Sequence, residues 1–379
     1  MNRAHGFLVP PLLALSALAT PAFGQALSLP PDGNNQKASV TQHIGPVTVS
    51  VSYSSPRVHA GGQDRSGKIW GELVPYGLTD LGFNDCKSCP WRAGANENTT
   101  LTVSHDVKVE GKPLPAGAYG LHMIPGKESF TVIFSKNADS WGSYWYDPKE
   151  DVLRVEVKPA KAEFHEWLTY EFTEREPSRA TLALFWENLK VPVSLAVDDV
   201  NELYFQALQR ELRGVLGFRW QELNSAAQFT LKTGKHLEEG LAWAQRSVTA
   251  PFVGQENFQT LATLGQLQLA TGKAAEAEKT FEKAIAGGAP KPIDGHQLGR
   301  QLLQQGKKVE ALKIFQANAK RFPNQWPVHV GLARGFAANG EPKKALEHAR
   351  LALAQAPDEL NRKSLAGMIE QLEKGQAPK

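Results

Sequence analysis

Between Ala38 and Val197 apolar and polar residues alternate with a period of two, the mark of strands buried on one face. Val47, Val49, Val51 and Tyr53 interleave with Thr48, Ser50 and Ser52. The same rhythm returns at Leu153-Val155-Val157, Leu168-Tyr170-Phe172, Leu182-Leu184-Trp186 and Val191-Val193-Leu195-Val197. Turn clusters separate these runs at Glu110-Gly111-Lys112-Pro113, Pro125-Gly126-Lys127-Glu128 and Asp147-Pro148-Lys149. Short strands at this spacing predict an all-β antiparallel sandwich or barrel over residues 38–197. After Asp198 and Asp199, which read as a helix N-cap pair, the period changes to that of helices and stays so over 198–379.

Within the helical part a fixed period appears. Gly272, Gly306 and Gly340 are each 34 residues apart, and Ala277, Ala311 and Ala345 keep the same offset behind them. Leu264-Gly265, Leu298-Gly299 and Leu332-Ala333 hold the matching place in the first helix of each unit, Phe281 and Phe315 the second helix, and Pro323 and Pro357 close two units. These residues resemble the tetratricopeptide repeat (TPR), in which small residues let paired helices approach and large ones fill the space between. A weaker unit around Gly234 sits four residues out of register, and 360–374 reads as a terminal capping helix. Stacked helix pairs make a concave surface suited to a protein or peptide partner. Gln266, Gln297, Gln301 and Arg334, on first helices, are the candidate groove residues.

The chain's start changes the expected location. Arg3 precedes an apolar run from Phe7 to Ala19, and small residues lead to a cut after Gly24. This predicts a signal peptide over 1–24 and a periplasmic or secreted mature protein beginning at Gln25. No stretch approaches the roughly 20 apolar residues of a membrane span. Residues 25–37 are turn-rich and predict a flexible arm. Charged residues make up 21% of the chain and its net charge of +3 is interspersed, so nothing points to nucleic acid. No phosphate-cradling glycine loop occurs, and the sequence calls for no cofactor.

Four stretches of the β region carry a second resemblance. They are Leu73-Val74-Pro75-Tyr76-Gly77, Trp91-Arg92-Ala93-Gly94-Ala95-Asn96-Glu97, Leu114 to Leu121 (Leu-Pro-Ala-Gly-Ala-Tyr-Gly-Leu) and Val152-Leu153-Arg154-Val155. Their order and spacing resemble the bacterial domain-of-unknown-function family numbered 2911, whose members are often exported and sometimes carry tetratricopeptide repeats. The resemblance implies no activity. Against that family this chain carries an insertion from Leu78 to Pro90, which holds both cysteines.

Candidate chemistry is scattered along the β region. Cys86 and Cys89 are spaced for a tight disulfide, for redox exchange or for half of a metal site. In an oxidising compartment the disulfide is the expectation. A zinc site would need two further ligands, such as His105 and His122, and Met123 beside them would suit copper. In the glycine-rich stretch from Trp91 to Thr100, Trp91 would stack on a ligand, Arg92 would clamp an anion, and Asn96 and Glu97 would orient a polar group. The plainer reading has Gly94 and Asn96 serving turn geometry while Arg92 and Glu97 pair with each other. Trp141, Tyr144, Trp145 and Tyr146 form an aromatic run that would make a ligand platform if exposed, and core and rim if not. Ser104, His105-Asp106 and His165-Glu166 are the hydrolase-like residues, without a Gly-x-Ser-x-Gly elbow.

Two functions follow. One is an exported binding and assembly protein, with the repeats holding a protein partner and the β domain binding a ligand or cell-envelope component. The alternative is a hydrolase or metal-dependent enzyme centred on Arg92, Asn96, Glu97, His105 and His122.

Overall fold

The computed structural model describes residues 35–84, 86–287 and 291–376. The predicted signal peptide and the arm up to residue 34 lie outside the described residues. The chain divides into two compact units that meet between Asp198 and Asp199.

The first unit is built from antiparallel strands. Its larger sheet has six: β1 (Gln36–Ile44), β2 (Val47–Ser55), β5 (Thr99–Val103), β8 (Gly117–Ile124), β9 (Phe130–Ser135) and β10 (Asp151–Val157), in that spatial order. A second sheet runs β11 (Ala160–Glu176), β12 (Arg179–Ala196), β6 (Val107–Val109) and β7 (Lys112–Leu114). A short ribbon pairs β3 (His59–Ala60) with β4 (Gln63–Asp64). Neither large sheet closes on itself, so the barrel alternative is replaced by open sheets. The first strand begins at Gln36, two residues ahead of the expected start, because Gln36 and Lys37 pair with Ser55 and Ser54 of β2.

The alternating residues fill the space between the sheets. Val47, Val49 and Val51 of one sheet are fully buried, and so, at 2% exposure or less, are Leu182, Leu184 and Trp186 of the other. Tyr53 and Tyr170 meet edge to face at 4.9 Å across the two sheets. Trp70, Trp91, Trp186 and Phe130 form a contiguous aromatic group, with Trp91 stacked on Trp186 at 6.2 Å. Such rings bury large areas each and set the core's shape.

The second unit is helical: α1 (Val200–Glu211), α2 (Trp220–Thr233), α3 (Leu237–Thr249), α4 (Phe258–Ala270), α5 (Ala274–Ala286), α6 (Pro292–Gln304), α7 (Lys308–Arg321), α8 (Trp326–Ala338), α9 (Pro342–Ala354) and α10 (Glu359–Glu373). Asp199 caps α1 by accepting from the Glu202 N–H at 3.0 Å. The periodic glycines Gly272, Gly306 and Gly340 join first to second helices at φ of 83°, 77° and 78°. A Cβ would meet nothing there, so glycine is used for its left-handed backbone and not for space. Gly234 does the same between α2 and α3, at φ 68°.

Inside the pairs the small residues are needed for room. A Cβ on Gly265 would overlap the Phe281 ring, and one on Gly299 the Phe315 ring. Gly331 and Gly335 of the next first helix crowd the same Phe315 at 2.5 and 2.7 Å from where a Cβ would stand. In the following unit Ala333 and Ala349 occupy the corresponding places, both fully buried. Where the ring is lost, the methyl group returns. The final helix buries Leu365, Met368 and Leu372 and exposes its other side, as a solenoid end requires.

Candidate functional site

Three successive first helices, α2, α4 and α6, line a groove of about 300 Å³. Its walls are rich in carboxamides: Gln221, Asn224 and Gln228 from α2, Gln259 and Gln266 from α4, Gln297 and Gln301 from α6. They are cross-linked, with Gln228 Nε2 donating to Thr263 Oγ1 at 3.2 Å, Gln266 Nε2 to Gln301 Oε1 at 3.4 Å, and Gln305 Nε2 to Gln266 Oε1 at 3.2 Å. Trp220 and Phe258 add apolar surface, and Asp294 is the one ionisable side chain of the lining. Each carboxamide carries two donors and an acceptor, the complement of a peptide backbone.

Three of the four predicted groove residues, Gln266, Gln297 and Gln301, therefore lie on one cavity wall. The fourth, Arg334, is on α8, one unit further along. The α2 residues were missed because the first unit is out of register. Trp220, Gln221 and Gln228 precede Phe258, Gln259 and Gln266 by the same 38 residues that separate Gly234 from Gly272, an offset visible in the sequence.

In the β unit the stretch from Trp91 to Asn98 is held by backbone geometry. Ala93 and Asn96 both have positive φ, 52° and 57°. Asn96 matches the turn role expected of it, whereas Gly94 serves space: a Cβ there would stand 2.6 Å from Thr99 Oγ1. The Ala93 carbonyl accepts from Thr99 Oγ1 at 3.0 Å and from the Tyr170 hydroxyl at 2.8 Å, which hold the turn in place. Ala93 gave no signal, since alanine is not a residue that advertises a left-handed backbone.

Arg92 and Glu97 do not pair, which corrects the plainer sequence reading. Arg92 donates to the Asn96 carbonyl at 2.6 Å and lies over the Tyr144 ring at 5.1 Å, passing across Gly142, where a Cβ would block it. Glu97 accepts from Ser54 Oγ at 2.9 Å and pairs with Lys37 Nζ at 2.6 Å. Burial works against its charge, but the Lys37 ammonium and the Ser54 hydroxyl outweigh that and hold its carboxyl below the usual range. Both strands of the first hairpin are therefore tied to this loop by side chains chosen for charge and hydroxyl.

The aromatic run is split between surface and interior. Trp141 and Trp145 are 52% and 49% exposed, and Tyr144 is half-buried. Phe83, from the insertion, is 61% exposed and meets Tyr144 at 5.4 Å and Trp145 at 6.4 Å. Phe83, Tyr144 and Trp145 thus form an exposed aromatic surface with the Arg92 guanidinium behind it. Tyr146 turns inward, donating its hydroxyl to Asp151 Oδ2 at 2.8 Å and accepting from Arg154 at 2.7 Å. Arg154 Nε donates to the same carboxylate oxygen at 2.6 Å.

The histidines go to different places. His122 is 2% exposed, with Nδ1 2.9 Å from Ser143 Oγ and its ring edge-on to Tyr146. Burial, helped by the nearby Arg92 charge, pushes its pKa down to about 4, so it is neutral. His105 stands at the far end of β5 from the Trp91–Asn98 stretch, bonded to Ser104. Asp106 accepts from the Ala116 N–H and not from His105, so no relay forms. His165 stacks on Phe185 at 4.8 Å, while Glu166 pairs with His59 at 2.7 Å. The enzyme candidates Arg92, Asn96, Glu97, His105 and His122 do not share one cleft. Cys86 and Cys89 have their sulfurs 2.19 Å apart, bonded to each other and not offered to a metal with His105 and His122. Among the described residues no three His, Cys, Asp or Glu side chains converge as a metal shell would.

Residues 35–195 match one family model. It is described as "Protein of unknown function (DUF2911)", and its limits are those of the sheets. The DUF2911 region carries every β-unit residue discussed above. No curated protein matches the chain. Among solved structures, YrrB, described as a TPR protein with an unusual peptide-binding site, is 18% identical over 44% of this chain and 84% of its own, with a TM-score of 0.29. MamA is 13% identical over 41% of this chain and 88% of its own, TM-score 0.29. A thermophilic TPR protein of Thermus thermophilus is 17% identical over 45% and 91%, TM-score 0.31. The helical unit is a TPR-type array on its own 34-residue period and paired helices, outside the DUF2911 region. No helix among the described residues is long and apolar enough to cross a membrane.

Proposed function

We propose that this is an exported binding protein whose helical unit holds an extended segment of a protein partner in the α2–α4–α6 groove. The observation that carries the reading is the row of carboxamides. Seven Asn and Gln side chains on three adjacent helices line one cavity, with Gln266 and Gln301 bonded to each other across two of the helices. Carboxamides of this kind match the alternating N–H and C=O of an extended chain, while Trp220 and Phe258 take an apolar side chain.

The β unit supplies a second surface. Phe83 and Trp145 stand exposed around half-buried Tyr144, beside Arg92, and rings of this kind recognise sugar faces or apolar groups of an envelope component. Export rests on the signal-like first 24 residues.

The groove is tested with the mature full-length protein and a displayed library of random nine-residue peptides. Selected peptides are expected to bind the unaltered protein and to lose about 10-fold or more in affinity to a Gln228→Ala, Gln266→Ala, Gln301→Ala triple variant. Binding that survives this variant would place the contact elsewhere. Amino-terminal sequencing of the exported protein is expected to begin at Gln25.

A further inference from the structure

The four most exposed large apolar side chains among the described residues all lie on one edge of the helical unit. Phe252 is fully exposed, Leu360, Phe218 and Val215 are 80%, 75% and 74% exposed, and no other exceeds 61%. They sit on or beside the connections that enter α2, α4 and α10, opposite the edge that carries the turns at Gly234, Gly272, Gly306 and Gly340. The connections holding Val215, Phe218 and Phe252 are adjacent, because the first turns of α2 and α4 that follow them line the same groove.

Both connections hold these side chains outward. Four residues separate α7 from α8 and α9 from α10, whereas eight, Ala250 to Asn257, separate α3 from α4. The four extra residues that put the first repeat out of register are therefore located here. Phe252 takes a φ of 62°, a left-handed backbone that bulky residues rarely adopt. Beneath it the N–H groups of Val253 and Gly254 donate to the Ala250 carbonyl at 3.2 and 2.7 Å. A Cβ on Gly254 would overlap the backbone of Val248 to Ala250, so the turn is closed tightly. Ahead of α2, a single 3-10 turn spans Val215–Phe218, and a Cβ on its buried Gly217 would overlap the Leu212 carbonyl. Leu212 belongs to the core, so the base of this turn is fixed while its tips are left in water. An insertion and a strained backbone spent on holding a phenylalanine in solvent bring the fold nothing, and mark a surface that meets something else.

Charge indicates what that is. Arg210, Arg213 and Arg219 bracket Val215 and Phe218, and all three are exposed. Among the described residues they form no ion pair; the α1 acids Asp199 and Glu202 are bound to Lys235 and His236. Glu211 and Glu222 are the other acids of this segment. Beside the Phe252 turn, Arg246 is exposed in the last turn of α3, and Glu256 is taken by Lys283 at 2.6 Å. Separate apolar tips flanked by arginines are the pattern of a protein face that lies on a lipid surface, which accepts protruding side chains without a matching shape.

We propose that this edge docks the protein on a phospholipid bilayer carrying anionic headgroups, with Val215, Phe218 and Phe252 entering the acyl boundary and Arg210, Arg213, Arg219 and Arg246 meeting the phosphates. Arginine suits the position because its stem lies along apolar surface while its fork of donors binds two phosphate oxygens. The contact is peripheral, and it is independent of the peptide groove.

The mature full-length protein is sedimented with vesicles of phosphatidylcholine alone or with about 30% phosphatidylglycerol. It is expected to bind the anionic vesicles at least about 10-fold more tightly than the neutral ones, and to be released by salt. Phe218→Ser with Phe252→Ser, at exposed positions, should weaken binding about 10-fold or more and leave the melting temperature unchanged. Arg213→Gln with Arg219→Gln should weaken it to a similar degree and flatten the salt dependence. An environment-sensitive dye on Phe252→Cys should shift to the blue on the anionic vesicles, whereas the same dye on Lys307→Cys, on the opposite edge, should not.

A protein that ignores anionic vesicles would overturn the proposal. So would vesicle binding that both double variants leave unchanged, which would move the contact to another surface, such as Phe83 and Trp145 of the β unit. A parent that is dimeric in solution, becomes monomeric on Phe218→Ser with Phe252→Ser, and binds no vesicles would make the edge an interface between two copies instead. Peptide binding by the groove is unaffected by each of these outcomes, so the two readings fail separately.

Discussion

The same substitution, glycine to alanine in the middle of a helix, should have opposite signs at two places in the helical unit. Alanine is favoured over glycine in a helix interior by about 1 kcal/mol, because glycine has more backbone freedom to lose. At Gly367, inside α10, a Cβ would meet nothing within 4 Å, so the whole gain should be realised. At Gly331, inside α8, the new Cβ would stand 2.5 Å from Phe315 Cδ1 and 3.0 Å from Cε1. The ring cannot step aside, since Gly299 and Gly335 close on it from other directions. Overpacking of a confined core side chain costs about 1–3 kcal/mol, and at this overlap the upper end applies, leaving a net loss of about 2 kcal/mol. For a unit of this size 1 kcal/mol moves the melting temperature by about 2–4 °C. Gly367→Ala should therefore raise it by that amount and Gly331→Ala lower it by about twice as much, read by far-UV circular dichroism during heating. Phe315→Leu combined with Gly331→Ala should recover part of the loss. A Gly331→Ala protein as stable as the parent would refute the claim that glycine there makes room for the ring.

Other perturbations test the β unit and its pH response. His122 and His296 have folded pKa values near 4 against 6.5 when unfolded, so the unfolded chain binds more protons between these values. Their contribution is complete above pH 6.5 and is lost as pH falls towards 4, by up to about 3 kcal/mol for each, and His122→Gln should flatten the slope of stability against pH in that window. Asp151→Asn takes the charge from a carboxylate that holds both Tyr146 and Arg154 and should cost about 2 kcal/mol in urea unfolding, with Tyr146→Phe costing about half as much. Replacing Cys86 and Cys89 by serine opens a loop of sequence separation 3, for which chain entropy gives about 2 kcal/mol. Thiol titration of the denatured parent should find no free thiol.

Periodic features were legible in the sequence because backbone geometry imposes them on every residue of an element. The two-residue alternation found Val47, Val49 and Val51 in the core, and the 34-residue glycine spacing found the left-handed turns between paired helices. The coupled change from Gly299 with Phe315 to Ala333 with Ala349 could also have been read there, since it keeps the volume between two helices constant. What could not be read is set by contacts across long sequence distances. Lys37 reaches Glu97, and Tyr170 reaches the carbonyl of Ala93, although no period links them. The expected pairing of Arg92 with Glu97 failed for that reason: proximity in sequence suggested it, while Tyr144 and Lys37 from distant segments took each partner instead. The groove was half legible, since a four-residue shift in the first unit hid the α2 side of it.

The two units also differ in how far along the chain each contact must reach. In the helical unit α2 packs on α3, α4 on α5, and each pair on the next, so nearly every contact closes a short loop. The sheets instead bring Val103 beside Val49 and Leu195 beside Val109. Closing long loops before any contact rewards them makes such pairing slow, whereas nearest-neighbour helices assemble quickly. On emerging unfolded, this chain should therefore acquire its helical signal first and its packed tryptophan cluster, Trp70 and Trp91 against buried Trp186, only later. Among the described residues α10 packs mainly against α9, so the array should in turn loosen first at that helix.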